Sequence, residues 1–301
     1  MASFALTTIQ DGDNFQAALV IDQNLYPLST LSSSPVINKS VLQLLQDWAT
    51  NLPFLQSLTT QITSKTLTAT PISLKNVTLA TPIHHPNKLL AVGANYTSHL
   101  QEMGLPAEKW DPMPFFSCPP STSMVGPGKT VRYPSGTKQF DWECELTVVL
   151  GKSLRDASVD EARDAIAGYT IGLDLSCRDL ITSGPKGLMD IMRGKAQDGM
   201  KPCGPYFIPK ECLTEDVNDM PVELKVNGEV MISGSTKEML WKPEECLVEI
   251  SKIVTLEAGD MIMTGTPAGS AKSYGGRWLR VGDRIEARIG GLGVLEVEVV
   301  E

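Results

Sequence analysis

Glu143 and Glu145 stand two residues apart in the segment Phe140, Asp141, Trp142, Glu143, Cys144, Glu145, Leu146, which runs directly into the apolar stretch Val148–Leu150. On a strand that spacing sends both carboxylates to one face and Cys144 to the other. In a dry pocket their mutual repulsion raises one pKa unless a cation neutralises them. Asp174, between Leu173 and Leu175, is a third acid in an apolar run, where a solvated charge is not expected. Three carboxylates with open positions suit Mg²⁺ or Mn²⁺, with Ca²⁺ a further candidate, better than zinc, which prefers sulfur and imidazole. On these residues alone, a polar strand face with a salt-bridged aspartate is an equal alternative. If the acids do hold a metal, removing Glu143 or Asp174 should abolish its binding yet leave the fold intact or more stable, because repulsive carboxylates are strain.

His99 and Glu102 follow the apolar run Leu89–Val92 and lie three residues apart, on one face of a helical turn. A glutamate so placed can orient the imidazole and hold its useful tautomer, leaving the other nitrogen free to take a proton. The chain has three histidines, and His99 is the best placed to be a base. By itself the pair also reads as an ordinary surface contact. Gly194, Lys195 and Asp198 precede Pro202, Cys203, Gly204 and Pro205 in a loop-rich patch. Further on, Gly265, Thr266, Pro267 and Gly269 form a loop whose amides and hydroxyl could hold a small carboxylate; a plain turn is the alternative for each.

Other patterns fall away. Gly126, Pro127, Gly128, Lys129 and Thr130 lack the glycine a phosphate loop needs, since Ser123 stands there, and Gly290 to Gly293 leads into a strand rather than a helix. His84 and His85 are adjacent and would point to opposite faces of a strand, so they read as a loop or domain edge. The six cysteines are widely spaced with no metal-finger pattern, which predicts free thiols.

The elements that must position the acids and the histidine are mostly strands. Residues 1–80 read as a small α+β unit: two short strands at Gln16–Asp22 and Asn24–Leu28, a loop over Ser29–Pro35, and a helical stripe of Val41, Leu42, Leu44, Leu45 and Trp48 after a cap at Asn38 or Ser40. The Thr-rich stretch Ser57–Thr70 is the best boundary, and residues 81–301 form the second unit. There Leu89–Gly93, Leu146–Leu150 and Tyr169–Leu175 read as buried strands. Asn227 and Gly228 mark a hairpin, Val294–Val300 alternates apolar with acidic residues, and Ser158 with Glu161 caps a helix over Ala162–Ala167.

Lys and Arg number 26 against 35 Asp and Glu, a formal charge of −9, which gives no reason to expect nucleic acid or an anionic lipid surface as a partner. The chain shows neither a long apolar run nor a basic, apolar leader, and a cytoplasmic protein is expected.

Taken in order, Gly93, Asn95, Tyr96, His99 and Glu102; Asp141, Glu143, Glu145 and Leu146; Asp174, Ser176, Arg178 and Asp179; Gly194 and Lys195; Val226 to Gly228; and Gly259, Asp260 and Gly265 to Pro267 resemble the fumarylacetoacetate hydrolase superfamily over about residues 85–300. The resemblance implies a mainly β, α+β fold, with a mixed β-roll catalytic domain and a small N-terminal domain, in a homodimer. It implies a divalent metal on Glu143, Glu145 and Asp174, and a His99–Glu102 dyad on a lid. Lys195 becomes a catalytic, substrate-contacting lysine, and Thr266, Gly265, Arg178 and Tyr96 become substrate-binding residues. One departure stands out: many members have a lysine where this chain places Cys118. The activity expected is metal-dependent hydrolysis of the C–C bond of an acylpyruvate such as fumarylpyruvate, maleylpyruvate or a diketo-deoxy sugar acid, to pyruvate and an acid. Decarboxylation of oxaloacetate or isomerisation of an oxo acid on the same site is the alternative, and a non-catalytic oxo-acid-binding protein a third.

Overall fold

The computed structural model describes residues 3–31, 38–185 and 188–301. The fold is the mixed α+β one expected, dominated by strands. In the main sheet the N-terminal strands Ala5–Asp11, Asn14–Ile21 and Asn24–Pro27 form an antiparallel meander. Leu6 then pairs with Phe207, so this meander runs on into the strand Lys201–Pro209. Beyond it come Ile166–Leu173, Cys144–Leu150, Met261–Met263, Leu89–Val92 and Phe115–Cys118. A second sheet of five strands holds the Pro221–Val226 and Glu229–Ser235 hairpin, Arg284–Ile289, Val294–Val300 and Thr130–Arg132. Asn227 (φ 53°) and Gly228 (φ 82°) make the tight turn that their pairing predicts. In Val294–Val300, Leu295, Val297 and Val299 are buried, as the alternation requires.

Cys144–Leu150 and Ile166–Leu173 are buried along their whole length, which explains why they read as continuous apolar runs rather than alternating ones. Gly168 lies where the second of these meets Lys201–Pro209. A β-carbon there would fall 2.1 Å from the Ile208 carbonyl oxygen and 2.8 Å from the Phe207 ring. Gly168→Ala must push these strands apart, and a loss of about 3 kcal/mol is expected, read as a fall in the thermal unfolding midpoint by circular dichroism. A midpoint within 1 °C of the parent would show that the contact relaxes freely.

Two local readings change. The helical stripe ending at Trp48 is two helices, Val41–Leu45 and Trp48–Thr63, broken at Gln46 and Asp47, and the Ser40 hydroxyl and Gln43 form a capping box on the first. The segment read as a boundary is helical as far as Thr63, because Leu55, Leu58 and Ile62 share a core cluster with Leu6, Leu19 and Phe207. The hydroxyls of Thr59, Thr60 and Thr63 meanwhile bond back to carbonyls four residues earlier. Most of the loop expected over Ser29–Pro35 lies outside the described residues.

Candidate active site

The register of one antiparallel pair gathers the acids. Cys144 pairs with Leu173 and Glu145 with Gly172, and the Asp174 amide donates to the Glu143 carbonyl at 3.1 Å. Residues 31 positions apart thus share one end of the strand pair. One oxygen from each of Glu143, Glu145 and Asp174 lies within 4.8 Å of the others, and all three residues are buried.

A second pairing brings the remaining pieces to the same end. Met261–Met263 runs parallel to Leu89–Val92, so the segments leaving both strands emerge together. Asn95 ties them: its side-chain amide donates to the Thr264 carbonyl at 2.8 Å and the Trp241 carbonyl at 3.0 Å, while its oxygen accepts from the Trp241 amide at 2.7 Å. Gly265 (φ 87°) turns its amide onto Glu145 Oε2 at 2.6 Å, and Thr266 Oγ1 accepts from the Cys144 amide at 3.1 Å. The hydroxyl hydrogen of Thr266 stays available for another acceptor.

His99 sits on the short helix Thr97–Glu102, with Nδ1 2.9 Å from Glu102 Oε2 and Nε2 3.9 Å from Glu143 Oε1. Glu102 Oε1 accepts from the Gly269 amide at 2.9 Å, the Ser270 amide at 3.1 Å and the Ser273 hydroxyl. Burial works against ionisation of this carboxyl, but the bonds from His99, Ser273 and the Gly269 amide outweigh it and hold the pKa down to about 2.

The charges in the cluster are unevenly balanced. The Lys195 ammonium lies between Glu143 Oε2 (2.6 Å) and Asp174 Oδ2 (2.7 Å). Arg178 reaches Asp141 Oδ2 at 2.8 Å and Glu143 Oε1 at 2.6 Å. Burial opposes ionisation of Glu143, yet Lys195 and Arg178 keep its pKa well below the ordinary carboxylate range. Glu145 is the reverse: burial, then the Asp174 and Glu143 charges, push its pKa well above normal against a smaller opposing pull from Lys195, and it makes no salt bridge among the described residues. Buried carboxylate oxygens without sufficient countercharge are a donor set for a hard divalent cation, so the residues fit the Mg²⁺ or Mn²⁺ expected of them.

The structure therefore brings His99, Glu102, Lys195, Arg178, Gly265 and Thr266 to the three acids. Tyr96 is wholly buried behind Glu145, against Gly265, and Asp198 is exposed away from the cluster. Cys118 is buried; its thiol, pushed up to about 11 chiefly by burial, faces the Lys195 carbonyl at 3.9 Å. Sequence reasoning quoted Asp141 in a motif but gave it no role; its Oδ1 accepts from the Ala271 and Trp142 amides while Oδ2 holds Arg178. It passed over Lys201, buried beside Asp174. A lysine followed by the apolar run Pro202–Ile208 was the available signal for the latter.

Residues 88–300 match the family described as "Fumarylacetoacetate (FAA) hydrolase C-terminal". Oxaloacetate tautomerase YisK of Bacillus subtilis is 38% identical over 231 residues, 75% of this chain and 74% of that protein. The mitochondrial oxaloacetate tautomerase FAHD2A of Bos taurus is 33% identical over 284 residues, 93% of this chain and 84% of that protein. Among solved structures, fumarylacetoacetate hydrolase from Exiguobacterium antarcticum superposes with a TM-score of 0.78 at 29% identity, covering 99% of both chains. With its strand-built acid cluster and a match over most of its length, the chain belongs to the fumarylacetoacetate hydrolase family.

Proposed function

We propose that the protein interconverts the enol and keto forms of a 2-oxo acid of the oxaloacetate kind, with a divalent metal as cofactor. The observation that carries this reading is the placement of His99 Nε2 at the edge of the acid cluster while Glu102 holds Nδ1. Glu143, Glu145 and Asp174 would hold a Mg²⁺ or Mn²⁺ ion, which would supply Lewis-acid stabilisation of the charge developing on the substrate's 2-oxo oxygen.

His99 Nε2 takes the proton from C3, the C–H electron pair becomes the C2–C3 double bond, and the 2-oxo oxygen accepts the charge and then a proton; the reverse steps restore the ketone. Glu102 stabilises the imidazolium that forms and fixes which nitrogen faces the substrate. Lys195 contributes positive charge beside the reacting oxygens, and the free hydrogen of Thr266 positions a substrate carboxylate. The relatives named as oxaloacetate tautomerases support this reaction over hydrolysis.

Hydrolysis of an acylpyruvate is the second reading, favoured by the same dyad: a base oriented in this way can equally deprotonate water. Two assays separate them. Decay of enol-oxaloacetate absorbance, with Mg²⁺ and protein against Mg²⁺ alone, should accelerate by at least an order of magnitude. Acylpyruvates incubated in H₂¹⁸O should yield no labelled acid. No acceleration, together with ¹⁸O in the released acid, would replace tautomerisation by hydrolysis, and carbon dioxide release would indicate decarboxylation.

A further inference from the structure

Lys201 is 1% exposed and opens the strand Lys201–Pro209. Its ammonium lies 2.8 Å from Asp174 Oδ1 and donates to three backbone carbonyls: Leu175 at 3.4 Å, Met200 at 3.3 Å and Lys195 at short range. These oxygens belong to different parts of the site. Asp174, the third acid, and Leu175 follow the strand Ile166–Leu173, Lys195 ends the helix Ile191–Lys195 and carries the other ammonium, and Met200 adjoins Lys201 itself. A lysine ammonium has three hydrogens and is among the groups least tolerant of burial, so it stays buried where oxygens converge to replace its water. The 2.8 Å contact with Asp174 Oδ1 is off the hydrogen-bonding direction, which leaves that oxygen without an aligned donor. It is held by charge, while the carbonyls take the directed bonds.

We propose that Lys201 is a positioning residue of the metal centre, its ammonium a brace that holds Asp174 and the Lys195 helix in one arrangement with Asp174 Oδ2 presented to the site. The inference rests on the reading of Glu143, Glu145 and Asp174 as metal ligands. Two effects of Lys201 on a divalent ion have opposite signs. As a bare positive charge against a ligand oxygen it repels the ion and weakens binding. As a brace it limits the rotation of the Asp174 carboxylate and fixes the backbone of Lys195, whose ammonium pairs with Glu143 and Asp174. Oxygens from separate segments meeting on one ammonium favour the brace, because a charge acting at a distance needs no such convergence.

Lys201→Met keeps the length and removes the charge and donors. Calorimetric titration of the full chain with Mn²⁺ should show the dissociation constant rising at least tenfold, the range found when groups supporting metal ligands are removed. The paramagnetic resonance spectrum of bound Mn²⁺ should broaden as Asp174 takes more than one orientation. Thermal unfolding of the metal-free variant is read separately, since a purely structural role would lower the midpoint and leave both metal readouts unchanged. Where Lys201→Met does not fold, Lys201→Gln, which keeps an amide donor toward the carbonyls, is read in the same way. Unchanged or tighter Mn²⁺ binding beside a normal wild-type titration overturns the brace and leaves the proposed reaction standing. A wild-type chain that does not bind Mn²⁺ overturns both.

Discussion

Glu145→Gln is expected to weaken Mn²⁺ binding by about a hundredfold or more while raising the unfolding midpoint of the metal-free protein. The sequence alone assigns this combination to Glu143 or Asp174, since any member of a repulsive set can be the strained one. The geometry transfers it to Glu145. Glu143 is paired with both Lys195 and Arg178, and Asp174 with Lys195 and Lys201, so truncating either leaves buried cations short of partners. Breaking such pairs destabilises by about 3–5 kcal/mol. Glu145 has the Gly265 amide and two like charges for neighbours, which the Lys195 charge offsets only in part. A glutamine keeps the acceptor for Gly265 and offers two N–H donors toward the Glu143 and Asp174 oxygens.

The gain should be on the order of 1 kcal/mol, or a few degrees in midpoint for a chain of this size. It should also depend on pH. Because the native state raises the Glu145 pKa above its ordinary 4.5, the folded protein retains a proton that the unfolded chain releases. Metal-free stability therefore falls as pH rises beyond that value, and the substitution should remove this slope. Calorimetric Mn²⁺ titration and melting curves in chelator across pH 5–8 check both halves. An unaltered metal affinity, or a variant less stable than the parent at pH 7, would mean that Glu145 is neither ligand nor strain.

How much of this could be read from the residues depends on whether the controlling contact is local. Ser158 with Glu161 and Asn227 with Gly228 act within four residues, and both form as expected. The buried runs at Leu146–Leu150 and Tyr169–Leu173 declare themselves by unbroken apolarity. That Glu143 and Asp174 meet is set by the Cys144–Leu173 register, which spacing within either segment does not encode; the family's order of motifs supplied it instead. The role of Asp141 and the whole of Lys201 escaped for the same reason. Their partners, Arg178 and the Lys195 carbonyl, come from elements met through sheet pairing and loop packing, so an isolated aspartate or lysine gives no sign of them. The N-terminal meander likewise reads as a separate small unit until Leu6 is paired with Phe207.

Substituting the dyad should separate its two duties. His99→Ala removes the proton-transfer group, and a fall in kcat of about 10²–10⁴-fold on the enol–keto assay is expected, with Mn²⁺ affinity within a few-fold of wild type because His99 is not a ligand in this arrangement. Glu102→Gln is the more informative change. The amide oxygen can still accept from Gly269, Ser270 and Ser273 and so keep the 265–273 loop attached, but the negative charge that stabilises an imidazolium is gone. The rate should drop by about 10²-fold or more, and the melting midpoint near neutral pH should fall as the bonds to an ionised carboxylate become bonds to a neutral amide.

The pH profile adds a separate check. With its native pKa held to about 2, below the ordinary 4.5, Glu102 stabilises the fold above pH 4.5, and that contribution is lost as pH falls toward 2. Glu102 therefore stays ionised across any workable assay, and an acidic limb in kcat between pH 5 and 8 must belong to another group. Glu102→Gln takes that carboxylate away, so the stability that the wild type gains as pH rises from about 2 to 4.5 should be missing from the variant's melting curves. A Glu102→Gln midpoint that rises across this range as the wild type's does would assign the stabilising charge to another carboxylate.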